Sequence, residues 1–257
     1  MSFLRRLLKI GLITVVAGYL LLCGALFLFQ RSLIYYPQPA ANQDSASILT
    51  LPLGEATIRV STHPQDGPAA VIYFGGNADD VSHDLPDLVR AFPNTAIYAL
   101  HYPGYGGSSG RPSQQSIFAA ALKLTACVKR EHQNVTVIGR SLGSGVAVWV
   151  ASQTPLAHLI LITPFDSLAD PAQAQYPIFP VRWLLRDKFE SWRYAPEVSA
   201  PTRIIVAGDD EVVPRASSDR LRTRFRNGVV TSYVVLPGFG HNTIQNAPGY
   251  WNLLNAE

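Results

Sequence analysis

The stretch Val135-Thr-Val-Ile-Gly-Arg-Ser-Leu-Gly-Ser-Gly145 constrains this chain more than any other. Val135 to Ile138 is β-branched and mostly apolar, as a strand buried within a sheet has to be. Val146 to Ala151 continues as an apolar helical run. Between the two stands Gly139-x-Ser141-x-Gly143. A strand-to-helix turn this tight leaves no room for side chains at its flanks, which explains both glycines. Such a turn pushes the Ser141 hydroxyl out of the sheet and sets it at a helix N-terminus, where developing negative charge is favoured. The pattern alone recurs by chance, and the bland alternative is an ordinary turn with an idle serine. The strand before it and the helix after it favour the nucleophile.

Apolar runs near Ala56 to Ser61 and around Val71, Ile97, Val137, Ile160, Ile205 and Val234 alternate with helical segments. This alternation predicts an α/β fold, a mostly parallel sheet with helices on both faces. Asn42 to Leu53 reads as a linker. The alternation lapses between Thr163 and Pro201, where Tyr176, Phe179, Trp183 and Trp192 gather among Pro164, Pro171, Pro177 and Pro180. Residues 164–200 therefore read as a small apolar lid in which Tyr176, Phe179 and Trp183 hold substrate. The alternative is a short helix packed into the core.

A serine nucleophile needs a base, and the base needs a group to orient it. Only His158 and His241 follow Ser141. His158 immediately precedes a strand, at the wrong end for a site at the strand C-termini. His241 follows the last strand, Thr231 to Leu236, in the loop Pro237-Gly-Phe-Gly-His241. The strand Thr202 to Ala207 runs into Gly208-Asp-Asp-Glu-Val-Val-Pro214, and the D-x-x-V-P spacing selects Asp210 over Asp209. Asp166, after the strand Leu159 to Ile162, is the fallback acid, and an acidic surface loop is the bland reading of Asp210. The oxyanion would need two donors. These are expected from the backbone N–H of Leu142 and, in the loop Gly75-Gly-Asn-Ala78 after Ala69 to Phe74, that of Asn77.

Together these residues resemble the α/β-hydrolase superfamily, and within it the membrane-anchored, serine-aminopeptidase-like branch. Gln30-Arg-Ser-Leu-Ile-Tyr-Tyr-Pro37 follows an apolar N-terminal segment, and Phe74-Gly-Gly-Asn-Ala78 occupies the usual F-H-G-N-A place. Tyr102-Pro-Gly-Tyr-Gly-Gly-Ser108 with Gly110-Arg-Pro-Ser113, then Asp210-Glu-Val-Val-Pro214 and Gly240-His241, complete the match from about Gln30 onward. Gly75 and His101 depart from it, where the family usually has histidine and often has aspartate. The resemblance implies a Ser141–Asp210–His241 hydrolase acting on an ester or thioester, with lipids among the candidate substrates and no cofactor. A peptidase, or a catalytically silent membrane-tethered binding domain, are the rivals.

Ile10 to Phe29 contains no charged residue. About 20 residues give ~30 Å of helix, enough to cross a bilayer. Arg5, Arg6 and Lys9 precede the run and Arg31 follows it, so the N-terminus should stay cytoplasmic and the catalytic domain lie outside. Residues 1–30 are read as an anchor and 31–257 as the hydrolase domain, so a chain starting near Gln30 is expected to keep its chemistry. A cleaved signal peptide is the competing reading. The formal charge of +3 resides in the anchor flanks, and without them the chain is near neutral, which gives no sign of nucleic-acid binding. Arg215, Arg220, Arg222, Arg224 and Arg226 read as the solvated face of one helix. Cys23 and Cys127 are too far apart in role to pair, and no Cys/His cluster has metal-ligand spacing.

Overall fold

The computed structural model describes residues 2–41 and 47–255. Eight strands among them form one sheet: β1 (Ile48–Leu53), β2 (Ala56–His63), β3 (Ala69–Phe74), β4 (Ala96–Leu100), β5 (Asn134–Arg140), β6 (His158–Ile162), β7 (Thr202–Ala207) and β8 (Val230–Leu236). Their order across the sheet is β1-β2-β4-β3-β5-β6-β7-β8. The first two pairings are antiparallel and all others parallel.

Both faces of the sheet are covered, and strand periodicity sorts the side chains between them. Ala70, Ile72 and Phe74 of β3, with Val135 and Val137 of β5, join the core beneath α3 (Gln114–Glu131) and α4 (Leu142–Gln153). Val71, Tyr73 and Ile138 point the other way, towards α2 (Val81–Ala91) and α9 (Tyr250–Asn255). Each fully buried aliphatic side chain contributes roughly 1.5–3 kcal/mol of transfer free energy, so a two-faced sheet with apolar runs on both sides is the stable solution. β3 leads into α2 on one face and β5 into α4 on the other. The crevice where such connections diverge, at the strand C-termini, is where open α/β sheets bind ligands.

Ile48–Leu53, expected as part of a linker, is strand β1. It pairs with β2 in register from Ile48↔Ser61 to Leu53↔Ala56, around a turn whose Gly54 has φ +60°. Pro52 disguises it as a break, yet proline is tolerated on an edge strand such as this one. Residues 42–46 of the expected linker lie outside the described residues.

Helix α1 (Ser2–Ile34) does not stop at the expected boundary near Gln30. It is long and apolar enough to cross a bilayer. Most of its side chains are exposed, but Cys23, Gln30 and the following Tyr35 are buried. Between β6 and β7 lie three short helices, α5 (Ala169–Gln175), α6 (Val181–Leu184) and α7 (Ser191–Tyr194). The two readings of this segment divide it. Phe189, Ala195, Val198 and Ala200 belong to the main core, whereas α5 and α6 pack outward against α1.

Candidate active site

Ser141 is at the junction of β5 and α4, with φ 50° and ψ −117°. A non-glycine residue at positive φ is strained, and it persists only where its surroundings fix it. Here its N–H donates to the Ile162 carbonyl at 2.9 Å, and its own carbonyl accepts from the Ser144 N–H at 2.9 Å and hydroxyl at 2.6 Å. A Cβ on Gly143 would stand 2.0 Å from the Phe74 carbonyl oxygen, and one on Gly139 2.4 Å from the Gly143 carbonyl oxygen. Both glycines are sterically required, and the first lets α4 press directly against the loop after β3.

His241 Nε2 is 2.8 Å from Ser141 Oγ, and His241 Nδ1 is 2.8 and 3.0 Å from the two carboxylate oxygens of Asp210. The Asp210 carboxylate also accepts from the backbone N–H groups of Val212 and Val213, at 2.9 and 2.7 Å. The histidine is 4% exposed, so an ion pair with Asp210 there is little screened. Asp209, its neighbour, is exposed. The fallback acid Asp166 is engaged elsewhere, accepting from the Ser217 hydroxyl at 2.5 Å and from Arg220 Nε at 2.6 Å. Arg220 also holds Asp170, and Arg222 stacks over Tyr233. The basic stretch is therefore not one solvated face, and its helix, α8 (Arg215–Arg222), ends before Arg224 and Arg226.

Leu142 opens α4, where a first-turn N–H has no partner within the helix. Asn77 faces the same cavity as Ser141 and Leu142. Its carbonyl accepts from the Tyr105 hydroxyl at 2.7 Å and the Tyr36 N–H at 3.1 Å, while its side-chain amide donates to Ile34 O at 3.0 Å. That last bond satisfies a carbonyl at the end of α1 and ties the loop to the helix.

Several site neighbours carry no local sequence signal. Arg140 Nη1 is 2.8 and 2.9 Å from both carboxylate oxygens of Asp79, which also accepts from the Gly76 N–H at 2.6 Å. Glu211 accepts from the His241 N–H at 3.1 Å. Burial, and then the charge of Asp79, pushes the Asp84 carboxyl up to about 6. His101, one of the departures from the family pattern, is buried and 2.8 Å from Ser61 Oγ; burial pushes its pKa down to about 4. Gly106, at φ +53°, makes room for this ring, since a Cβ there would meet His101 Nδ1 at 1.9 Å. Among the described residues no group of three or more His, Cys, Asp or Glu is placed to hold a metal ion.

The cavity beside Ser141 has a volume of about 380 Å³ and a mainly apolar wall. Of the three lid residues expected to hold substrate, Tyr176 and Phe179 line this cavity and Trp183 does not. Trp183 is 89% exposed, because α6 turns Val181 and Leu184 inward and presents Trp183 on its outer face. The opposite wall was not foreseen. Leu26, Gln30, Leu33 and Ile34 of α1 line the cavity at helical spacing, so the expected anchor is part of the pocket.

No protein-family model matches the sequence. An uncharacterized protein of Mycobacterium tuberculosis is 34% identical over 232 residues, covering 83% of this chain and 80% of that protein. The α/β hydrolase domain-containing protein aho-3 of Caenorhabditis elegans is 29% identical, over 72% of this chain and 56% of that one. The lysophosphatidylserine lipase ABHD12 of Danio rerio is 26% identical, over 76% of this chain and 58% of the lipase. An esterase of Pyrococcus furiosus superposes with a TM-score of 0.68 at 14% identity, over 86% of this chain and 94% of the esterase. The chain belongs to the α/β-hydrolase family. Its relatives and structural neighbours include a lipase and an esterase, and its own fold is that of the family, preceded by an apolar N-terminal helix.

Proposed function

We propose that this α/β-hydrolase is a membrane-anchored serine hydrolase that cleaves a carboxylic ester or thioester through an acyl-enzyme. The observation that carries this reading is Ser141 Oγ within 2.8 Å of His241 Nε2, with Asp210 on the other ring nitrogen, at the wall of an apolar cavity. Ser141 Oγ attacks the substrate carbonyl as Nε2 takes its proton. Asp210 fixes the ring tautomer and stabilises the imidazolium. The oxyanion develops in front of the Leu142 N–H, at the positive end of α4, and the Asn77 N–H. Nε2 then returns the proton to the leaving alcohol or thiol. A water deprotonated by the same nitrogen hydrolyses the acyl-Ser141 ester, releasing the carboxylic acid. Nucleophile and proton carrier are both side chains, so the steps call for no cofactor.

The apolar cavity favours an acyl chain over a peptide. That one relative carries the name lysophosphatidylserine lipase supports a lipid ester as substrate. The charge distribution around α1 supports a cytoplasmic N-terminus and an extracytoplasmic catalytic domain. The test is fluorophosphonate labelling of the full-length protein in membranes, paired with hydrolysis of acyl esters of graded chain length. Labelling and turnover that both vanish in Ser141→Ala are expected, with a loss on the order of 10⁴–10⁶ in kcat. A protein that does not label would be a silent binding domain, and one that cleaves only peptides would be the rival peptidase.

A further inference from the structure

The cap, the segment around α5 and α6, touches α1 from Tyr19 to Arg31, not only at the end of the helix. Near the end, Gln30 donates to Leu184 O at 3.1 Å and accepts from the Arg186 N–H at 2.7 Å, and Arg31 Nε is 2.9 Å from Asp187. Further down, the Tyr19 hydroxyl donates to Ile178 O at 2.9 Å, and its ring stacks on Phe179 with centroids 5.8 Å apart. Tyr19, Cys23, Leu26, Gln30 and Ile34 are spaced by three or four residues, one stripe of a helix. At 1.5 Å per residue Tyr19 and Gln30 are about 16 Å apart along the axis. Tyr19 lies in the middle of the charge-free run from Ile10 to Phe29. If that run crosses a bilayer, Ile178 is carried well below the headgroups.

The carbonyl groups of the cap loop are paired within the protein. Every carbonyl from Tyr176 to Val181 accepts a hydrogen bond from the protein. Gln173 Nε2 serves Tyr176, Pro177 and Phe179 at 3.4, 3.4 and 2.9 Å, while its Oε1 accepts from the Val181 N–H at 3.1 Å. Tyr19 serves Ile178; Trp183 N–H and Leu185 N–H serve Pro180 and Val181, at 3.0 and 2.8 Å. Pro177 and Pro180 have no N–H to satisfy. Irregular backbone at membrane depth needs its polar groups paired within the protein, and the carbonyls here meet that condition. The loop's exposed residues are Pro177, Ile178 at 72%, Pro180, Arg182 and Trp183 at 89%. Trp183 stands beside Leu184, level with Gln30 and Arg31, the depth at which tryptophan is enriched. Arg182, the one charge within the loop, has a side chain 62% exposed that reaches out of it to Asp170 at 2.7 Å, as a long basic side chain can at an interface.

We infer that residues 176–183 form a wedge inserted into the same leaflet as the second half of α1, and that the cavity between them takes its substrate sideways from the bilayer. The acyl chain then never crosses water. This rests on the serine-hydrolase reading for the substrate, but not for the wedge.

The test uses the full-length protein in phosphatidylcholine vesicles. Ile178→Trp in a Trp183→Phe background places an indole at the tip, its emission read as the difference from the Trp183→Phe parent. Quenching by acyl-brominated phosphatidylcholine, with shielding from aqueous acrylamide, is expected. Acrylamide quenching without bromolipid quenching overturns the wedge, whatever the enzyme does. Ile178→Asp is then expected to lower hydrolysis of a vesicle-embedded long-chain monoacyl ester roughly tenfold or more. Its fluorophosphonate labelling and its cleavage of a soluble short-chain ester should stay at wild-type levels. Equal loss on both esters with labelling intact would overturn sideways access. Absence of labelling in the wild type would defeat the hydrolase reading alone.

Discussion

Arg140 Nη1 is within 2.9 Å of both carboxylate oxygens of Asp79, and this pair joins the strand that leads into Ser141 to the loop that carries Asn77. The side chains are 14% and 20% exposed, so the pair is neither a surface bridge nor fully dry. Asp79 also anchors the Gly76 N–H, one residue from Asn77. Asp79→Ala is expected to leave a largely buried guanidinium short of its partner, at a cost of about 3 kcal/mol in denaturant unfolding. It should also lower kcat on a soluble ester, towards the ~10²-fold that follows loss of one oxyanion donor. An Asp79→Ala enzyme with reduced stability and unchanged kcat would confine the pair to folding.

The two candidate acids should separate cleanly. Asp210→Asn leaves the geometry but holds His241 in the wrong tautomer, with an expected loss of ~10⁴ in kcat. Asp166→Asn weakens the bonds to Ser217 and Arg220 and is expected to cost about 1–2 kcal/mol of stability with kcat within a few-fold. A reversal of these two outcomes in steady-state assays would move the acid to the loop after β6.

The order Ser141, Asp210, His241 was legible because each residue follows an apolar strand, and strand ends are what a parallel sheet gathers together. The sheet and the family were legible for the same reason: runs buried on both faces announce themselves. Strand β1 was not, because an edge strand is half exposed and tolerates Pro52. Trp183 was misplaced because composition gives a cluster of aromatics but not which side of a four-residue helix each occupies. The wall made by Leu26 and Gln30 was hidden by the strength of another signal. A charge-free run of this length reads as lipid-facing all round, and a stripe of one tyrosine, one cysteine and one glutamine does not alter its hydropathy.

His101 gives a pH signature. Its pKa is about 4 when folded, against an ordinary value near 6.5. Between those values the unfolded chain binds the extra proton, so this contribution is whole above pH 6.5 and is lost as pH falls towards 4. Asp84, raised to about 6 from 3.8, has the opposite sign and partly masks it. The readout is therefore a difference between two proteins. Relative to wild type, His101→Asn should gain stability on going from pH 7 to 4.5, by on the order of 2–3 kcal/mol, because each pH unit between the folded and unfolded pKa values is worth about 1.36 kcal/mol. Parallel melting-temperature curves for the two proteins over that range would show that His101 titrates alike in the folded and unfolded chain.

Gln30 is where α1 and the cap meet. Its amide bonds Phe27 O, Leu184 O and the Arg186 N–H, at 2.8, 3.1 and 2.7 Å, and it is 7% exposed. Gln30→Ala leaves those cap groups without their partner, in a place water reaches poorly, and should cost about 1–3 kcal/mol. The cap would then sit loosely on α1, and the cavity wall shared by Leu26 and Phe179 would part. On the proposed mechanism long-chain esters need that wall, and short ones need only Ser141, His241 and the donors near them. The expected result is a kcat/KM ratio of long-chain to short-chain ester that falls roughly tenfold or more, the scale at which apolar pockets discriminate. A chain beginning at Gln30 should show the same loss in fuller form, since it lacks Tyr19, Cys23 and Leu26 altogether. It should still cleave a short soluble ester, because Ser141, Asp210 and His241 lie far beyond the cut. Unchanged chain-length selectivity in both proteins, measured in the same detergent, would return α1 to the role of a plain anchor.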